Sequence, residues 1–349
     1  MDKNVSLGQL FETVKLKERE KVPFVAYKFP NSKKIIFRSG PCSNEKYSSI
    51  SDNSFFFMPF NLQKKGFLMF PDLNLSAKLL TSYKKRKPKK FFNNLLNEEE
   101  KKQYVNVIES ILLKINKSSL KKVVYSKKFS FKFKSSNYLK IFQNLINLYS
   151  NAFCYLFFHP SEGFWLGASP ELLFTKRNSN LKTVALAGTK FNSKDYWGKK
   201  EIEEQKIVSA EIKENLSPLC DSLEIGKPLT VKAGPVEHLK STIMGKSNVS
   251  ISKIIQTLFP TSAIAGHPRP LALKLIFEIE EHDRSFYSGF IGFKERNLFS
   301  SFVNLRCLNL NSDKASIYVG SGITNESNPE NEWQELKMKS ETVLNALSL

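Results

Sequence analysis

The chain has 349 residues, 41% hydrophobic and 25% charged, a globular balance with material for a sizeable core and room for one large or two ordinary domains. No apolar run approaches the roughly 20 residues needed to cross a bilayer, and the N-terminal MDKNVSLGQLFETVKLKERE lacks the apolar stretch of a secretory signal, so a soluble, cytoplasmic protein with no membrane partner is expected. The net charge of +20 admits nucleic acid or small anions as partners, but the lysines are scattered, and the densest run, Lys84 to Lys90, carries a proline and reads as a solvated loop.

Residues 1 to about 90 combine a first helix, Leu7 to Arg19, with short strand-like runs such as FVAYKF and KIIFRS, and hold no catalytic signal. A second helix follows, with Asn97 as N-cap, Glu98 to Glu100 in the first turn where the helix dipole favours negative charge, and an apolar stripe of Val105, Ile108, Leu112 and Ile115. The strand pattern KVVYSKKFSFKF comes next, then a helix over Tyr138 to Tyr149 and a strand cluster AFCYLFFH, FWLGAS, ELLFTK and KTVALAG. Helices are expected over Lys199 to Asn215 and over Leu271 to Glu281, the latter behind Pro268 and Pro270. FYSGFIGF, LFSSFVNLRCLNL and ASIYVG read as strands before a last helix from about Glu330. Consecutive strands joined by short turns favour an α+β fold with antiparallel sheets over a parallel βαβ sheet. Neither the four cysteines (Cys42, Cys154, Cys220, Cys307) nor the four histidines have metal-ligand spacing, and nothing requires an oxidising compartment.

Several ionisable residues fall where the pattern demands burial, which charged side chains avoid unless paired. Lys122 opens the strand KVVYS, Glu171 follows the turn Ser169-Pro170, and Arg306 interrupts FVNLRCLNL. Glu204 precedes Ile207 and Val208 by three and four residues, beside the apolar face of its helix, while Glu332, Glu335 and Lys339 share one stripe of the last helix. Each has a bland reading as well. Glu335 and Lys339 make an i, i+4 pair of the kind that usually sits in solvent. Lys122 could be an exposed strand end, Arg306 an ion-paired strand residue and Glu204 part of a solvated face. Gly188 reads as ending a strand, and Gly320 and Gly322 as following one, where glycine lets backbone approach an anion or simply turns.

The combination is more specific than its members. KVVYSK, GASPELL, ALAGT, EEQKIV, HLKS, FPTSAIAGHP, EIEEHDRSFYSGFIG, LRC, YVGSGI and NPENEWQELKMK stand in an order that resembles the chorismate-binding enzymes, from about residue 118 to 345. The resemblance implies a single large domain spanning 1–349, of two stacked antiparallel β-sheets flanked by helices, with a catalytic core at 118–345 and a weakly matching N-terminal part at 1–90. It implies Mg²⁺ as cofactor and chorismate as small-molecule substrate. The oligomeric state is not legible, and a monomer is compatible with the sequence.

Carried over by motif, Lys122 matches the general base and Glu171 the general acid. Glu204 and Glu335 match the magnesium carboxylates, with Glu332 beside them. Arg306 matches the grip on the enolpyruvyl carboxylate, and Gly320 and Lys339 further carboxylate contacts. Gly188 lies near the C4 hydroxyl and His238 near the ring carboxylate, although for His238 a structural role stands beside the binding one. Among family members the chain is most similar to isochorismate synthases of menaquinone or siderophore type, because Ala263 stands where ammonia-using and salicylate-forming members tend to carry threonine. Salicylate synthase, or a component I of anthranilate or aminodeoxychorismate synthase, remains the alternative; outside the class stands a basic nucleic-acid-binding protein, against which the retained groups argue. Phe259, Ser262, Lys127 and Gln205 depart from the family's usual histidine, proline, arginine and histidine, and Tyr287 and Leu305 are expected near the cleft.

Overall fold

A computed structural model describes residues 2–79, 95–190, 196–233 and 236–347, so the basic run Lys84–Lys90 lies outside the described residues. Within them the strands form two large sheets. The first runs, from edge to edge, β1 (Lys3–Asn4), β7 (Leu73–Lys78), β3 (Lys34–Ser39), β2 (Phe24–Lys28), β9 (Phe153–His159), β10 (Gly163–Ser169), β19 (Cys307–Asn311), β20 (Lys314–Thr324), β8 (Lys122–Lys132) and β16 (Gly266–His267). The second runs β13 (Ser222–Ile225), β15 (Val236–Lys246), β12 (Asn180–Lys190), β11 (Leu172–Arg177), β18 (Leu298–Val303), β17 (Phe290–Glu295), β5 (Ser54–Met58), β6 (Gly66–Met69) and β4 (Cys42–Glu45), with β14 (Leu229–Ala233) also on β15. The ladders are antiparallel apart from the parallel pair β1–β7.

The apolar runs are continuous because both faces of these strands are covered. Along β2, Val25 and Tyr27 join an aromatic layer with Phe55, Phe57, Phe157, Trp165 and Phe302, side chains drawn from both sheets. Their neighbours Phe24 and Ala26 point the other way, into the helix-covered core. Within the layer Phe57 meets Trp165 edge-on at 5.9 Å and Phe157 at 5.2 Å. Strands from residues 2–79 hydrogen-bond into both sheets, β2 on β9 and β5 on β17.

The helices are α1 (Leu7–Arg19), α2 (Glu98–Asn116), α3 (Tyr138–Leu148), α4 (Lys199–Leu216), α5 (Ile251–Leu258), α6 (Arg269–Ile279) and α7 (Pro329–Leu347). Asn97 caps α2 as expected, its side chain accepting from Glu100 N at 2.9 Å. The buried stripe of α2 is, however, Tyr104, Ile108, Ile111 and Ile115 rather than one through Val105 and Leu112. The helix is rolled so that Tyr104 packs on Trp333 of α7, with ring centroids 5.5 Å apart. The glycine readings also need correction. Gly188 does not end its strand: β12 continues to Lys190, and Gly188 takes φ +72° where the ladder to β15 slips between Ala187 and Thr189. Gly320 and Gly322 lie inside β20, not after it.

Candidate active site

The site is a cleft at one end of the aromatic layer. On β20, Tyr318, Gly320 and Gly322 share one face by the two-residue alternation. Tyr318 stacks on Trp165 in the layer, with centroids 5.5 Å apart. Two residues on, a Cβ at Gly320 would stand 2.8 Å from the Tyr287 hydroxyl oxygen, and at Gly322 one would stand 2.3 Å from Glu204 Oε1. Loss of side chains along this face turns a packed layer into a pocket with about 670 Å³ of free space, its mouth included. Glu171, Gly188, Glu204, His238, Ala263, Arg306, Gly320 and Lys339 line it, together with Tyr287 and Leu305.

Glu171 sits just past β10, its backbone pinned by Val303 N–H, which donates to its carbonyl at 3.0 Å, and by its own N–H on Ser169 Oγ at 3.3 Å. Its carboxyl is buried and has no ion pair among the described residues. Burial pushes it up to about pKa 8, and the charges of Lys122 and Lys339 only partly offset this. Near neutral pH it is therefore mainly a protonated acid.

Lys122 is fully buried at the start of β8, so the exposed-end reading of this lysine is overturned. Its Nζ lies 3.0 Å from Glu204 Oε1 yet forms no well-aligned hydrogen bond, so the ammonium is paired in charge but not locked in direction. Glu204 projects from α4, and Gly188 N–H donates to its Oε2 at 3.2 Å. The glycine at the strand slip thus aims a backbone donor at a buried carboxylate. Burial would raise the Glu204 pKa, but Lys122 and Lys200 outweigh that and hold it below the usual range.

Glu335 and Lys339 on α7 are a buried pair at 2.5 Å, not a solvated one. Thr189 Oγ1 donates to Glu335 Oε1 at 3.1 Å, and Lys339 Nζ donates to Gly320 O at 3.2 Å. Burial raises the Glu335 carboxyl, but Lys200 and Lys339 outweigh it and keep it well below the carboxylate range. Glu332, one turn earlier, is lifted to about 7 by burial; Ser327 Oγ donates to its Oε1 at 2.8 Å, and its Oε2 has no partner. Between the three glutamates stands Lys200, its Nζ 3.0 Å from Glu332, 3.5 Å from Glu335 and 3.9 Å from Glu204. Among the described residues no three His, Cys, Asp or Glu side chains converge closely enough to hold a metal ion as they stand.

Arg306 forms the opposite kind of group, a buried cation with no carboxylate in ion-pair range among the described residues. It takes φ +50°, an uncommon backbone for arginine, and its guanidinium is held by Thr342 Oγ1 at 2.9 Å and Lys339 O at 3.3 Å. Burial lowers its pKa to about 10, so it stays charged. His238 is neutral: burial, with Arg306 and Lys339 beside it, lowers it to about 4. Its Nδ1–H is directed to Gly188 O at 2.9 Å, leaving Nε2 as an acceptor toward Arg306 at 3.4 Å.

The sequence-derived residues come together with few exceptions. Lys122, Glu332 and Glu335 do not line the pocket but stand behind its wall, in contact with Glu204, Lys200 and Lys339. Two participants, Thr189 and Lys200, carry no clear signal in the sequence. Thr189 was visible only as part of ALAGT, and Lys200 was hidden in a helix crowded with Lys and Glu, where its i, i+4 spacing to Glu204 was the available signal.

Residues 69–348 match the family model of the chorismate binding enzyme. The chain is 31% identical over 200 residues to the isochorismate synthase DhbC of Bacillus subtilis, covering 53% of this chain and 50% of that protein. It is 32% identical over 203 residues to the isochorismate synthase MenF of Escherichia coli, covering 54% of this chain and 47% of that protein. The chain thus spans about half the length of the curated relatives it matches. The solved structure of MenF, the menaquinone-specific isochorismate synthase from Escherichia coli, superposes with a TM-score of 0.79 at 22% identity, over 93% of this chain and 88% of that one, which shows a common fold. The chain belongs to the chorismate binding enzyme family.

Proposed function

We propose, from that membership, that the protein is an isochorismate synthase: it adds water at C2 of chorismate and expels the C4 hydroxyl, giving isochorismate. The observation that carries this reading is Glu171, a buried carboxyl held protonated to about pH 8 in a pocket whose wall also contains Arg306, which has no carboxylate in ion-pair range among the described residues. A carboxylic acid kept neutral can hand its proton to the departing hydroxyl, turning a poor leaving group into water. Lys122 takes the proton from the incoming water, acting as the free amine once its ammonium has given up a proton. Arg306 binds the enolpyruvyl carboxylate, for which a fixed guanidinium is suited. Lys339 and the backbone at Gly320 hold the carboxylates further, Gly188 lies by the C4 hydroxyl, and neutral His238 lies near the ring carboxylate, its Nε2 accepting from Arg306.

The chemistry of the donor set suits Mg²⁺, although the three carboxyl groups do not converge on one point while Lys200 stands between them. Glu204 and Glu335, with Glu332, supply hard oxygen donors, one of them the orphaned buried Oε2 of Glu332, and a cation already balances them. When bound, the metal would withdraw electron density from the ring carboxylate. Ala263 in the pocket wall brings no hydroxyl to position an amine, which favours water as nucleophile. The whole chain is read as one chorismate-binding domain, since strands of residues 2–79 complete both sheets, and as a cytoplasmic enzyme acting on a soluble dianion; no described helix is long and apolar enough to cross a membrane.

Chromatography of the purified protein with chorismate and Mg²⁺, with and without ammonium, tests the reading. Isochorismate without pyruvate is expected. Salicylate with pyruvate, or an aromatic amine when ammonium is present, would overturn it.

A further inference from the structure

Three buried carboxyl groups set close together repel strongly when ionised in a low-dielectric setting, and a folded chain tolerates them where a proton or a cation offsets the charge. Here the cation belongs to the chain itself. Lys200, in the first turn of α4, reaches Glu332 Oε1 at 3.0 Å, Glu335 Oε2 at 3.5 Å and Glu204 Oε2 at 3.9 Å. Each carboxylate is also oriented by a neutral donor: Gly188 N–H on Glu204 at 3.2 Å, Ser327 Oγ on Glu332 at 2.8 Å and Thr189 Oγ1 on Glu335 at 3.1 Å. The carboxylates are thereby aimed and balanced, but the space they share is taken by an ammonium group.

We propose that Lys200 is a tethered counter-cation that guards the tri-glutamate site and must withdraw before a divalent ion can enter. The inference rests on the reading of Glu204, Glu332 and Glu335 as magnesium ligands. Two like charges do not share one buried set of oxygens, so binding of the metal and retreat of the ammonium are a single exchange. The side chain has a way out: it is 12% exposed and sits two residues past Gly198, the N-cap of α4, in the first turn of the helix. The exchange has two consequences. The metal-free protein keeps its site folded and organised, and the affinity for Mg²⁺ is lower than the carboxylates alone would give, because only the fraction of molecules with Lys200 withdrawn can bind.

The test is calorimetric titration of the full chain with Mg²⁺ alone, in the wild type and in Lys200→Gln and Lys200→Met, together with melting curves of each. Both variants should bind Mg²⁺ tighter by on the order of tenfold or more, melt lower without metal, and gain more in melting temperature from Mg²⁺ than the wild type does. Equal affinity in wild type and variants overturns the guarding role while leaving the metal site standing. Absence of binding in all of them overturns the metal reading and the inference with it. Reductive methylation of the wild type, followed residue by residue by mass spectrometry, needs no variant to fold. Lys200 should react faster when Mg²⁺ saturates the protein, and an unchanged rate rejects the exchange.

Discussion

The aromatic layer between the sheets and the charged cleft at its end are built by the same strands, yet they resolve opposite problems. In the layer, Phe57, Phe157, Trp165 and Tyr318 pack on one another by area and ring geometry. Just past β10 and further along β20 stand Glu171, Gly320 and Gly322, and the buried groups there remain incompletely matched: a neutral acid, a guanidinium with no carboxylate in ion-pair range among the described residues, and an orphaned carboxylate oxygen. Packing in the layer makes those mismatches affordable, since a rigid scaffold can hold groups that would otherwise relax toward water. The contrast predicts that damage to the layer lowers stability and spares chemistry, whereas damage to the cleft does the reverse.

The largest effect belongs to the cleft. Lys122→Ala removes the base, and turnover should fall by about 10²–10⁴-fold in a steady-state assay, with circular dichroism unchanged; turnover within a few-fold of wild type would remove Lys122 from the chemistry. Next comes the layer. Phe57→Ala deletes a ring that touches Tyr155, Phe157, Trp165 and Phe286, and should cost about 3–5 kcal/mol in denaturant unfolding while kcat per folded molecule stays within about twofold. Arg306→Lys keeps the charge but loses the fork, so KM should rise by about 10–100-fold with a smaller change in kcat. An equal loss of stability and activity would show that Arg306 only anchors the bend between β18 and β19.

The smallest effect is a matter of pH. Because Glu171 must be protonated to act as an acid, kcat/KM should decline through a pH near 8, the value to which burial lifts it. The same shift carries a stability sign. A carboxyl raised in the fold favours the native state below its unfolded pKa, and that contribution is lost as pH climbs from the ordinary carboxylate range through about 8. Glu332, lifted to about 7, adds in the same direction, while Glu204 and Glu335, held low by their lysines, act oppositely. Glu171→Gln should therefore flatten the alkaline loss of stability seen in melting curves.

Much of this was legible in the sequence, and the gaps have physical causes. The first helix falls on its expected bounds, Leu7–Arg19, because a Ser6 capping box and the run of helix formers agree locally. The cleft residues were readable because charge among apolar residues is costly and so conspicuous, as with Lys122 in β8; Arg306 was conspicuous for the same reason, although it stands not inside a strand but in the bend between β18 and β19, which the single run LFSSFVNLRCLNL did not reveal. Gly188 was misread because glycine after an apolar run looks like a terminator, whereas here its positive φ lets the strand slip and continue. Lys200 was missed because α4 carries Lys and Glu throughout, and such a pattern denotes a solvated face until another helix, α7, closes over it. Tertiary burial, which no local pattern encodes, separates Lys200 from the surface lysines around it.

The cleft's misfit groups exist for chemistry, not as defects of packing. The most direct measurement is turnover of chorismate by Glu171→Gln alongside its melting temperature at pH 7. Glutamine keeps the shape and the neutrality of the protonated acid but has no proton to give, so turnover should drop by about 10²-fold or more while the melting temperature holds or rises. Turnover within twofold of wild type, or a loss of activity that merely tracks a loss of fold, would contradict it.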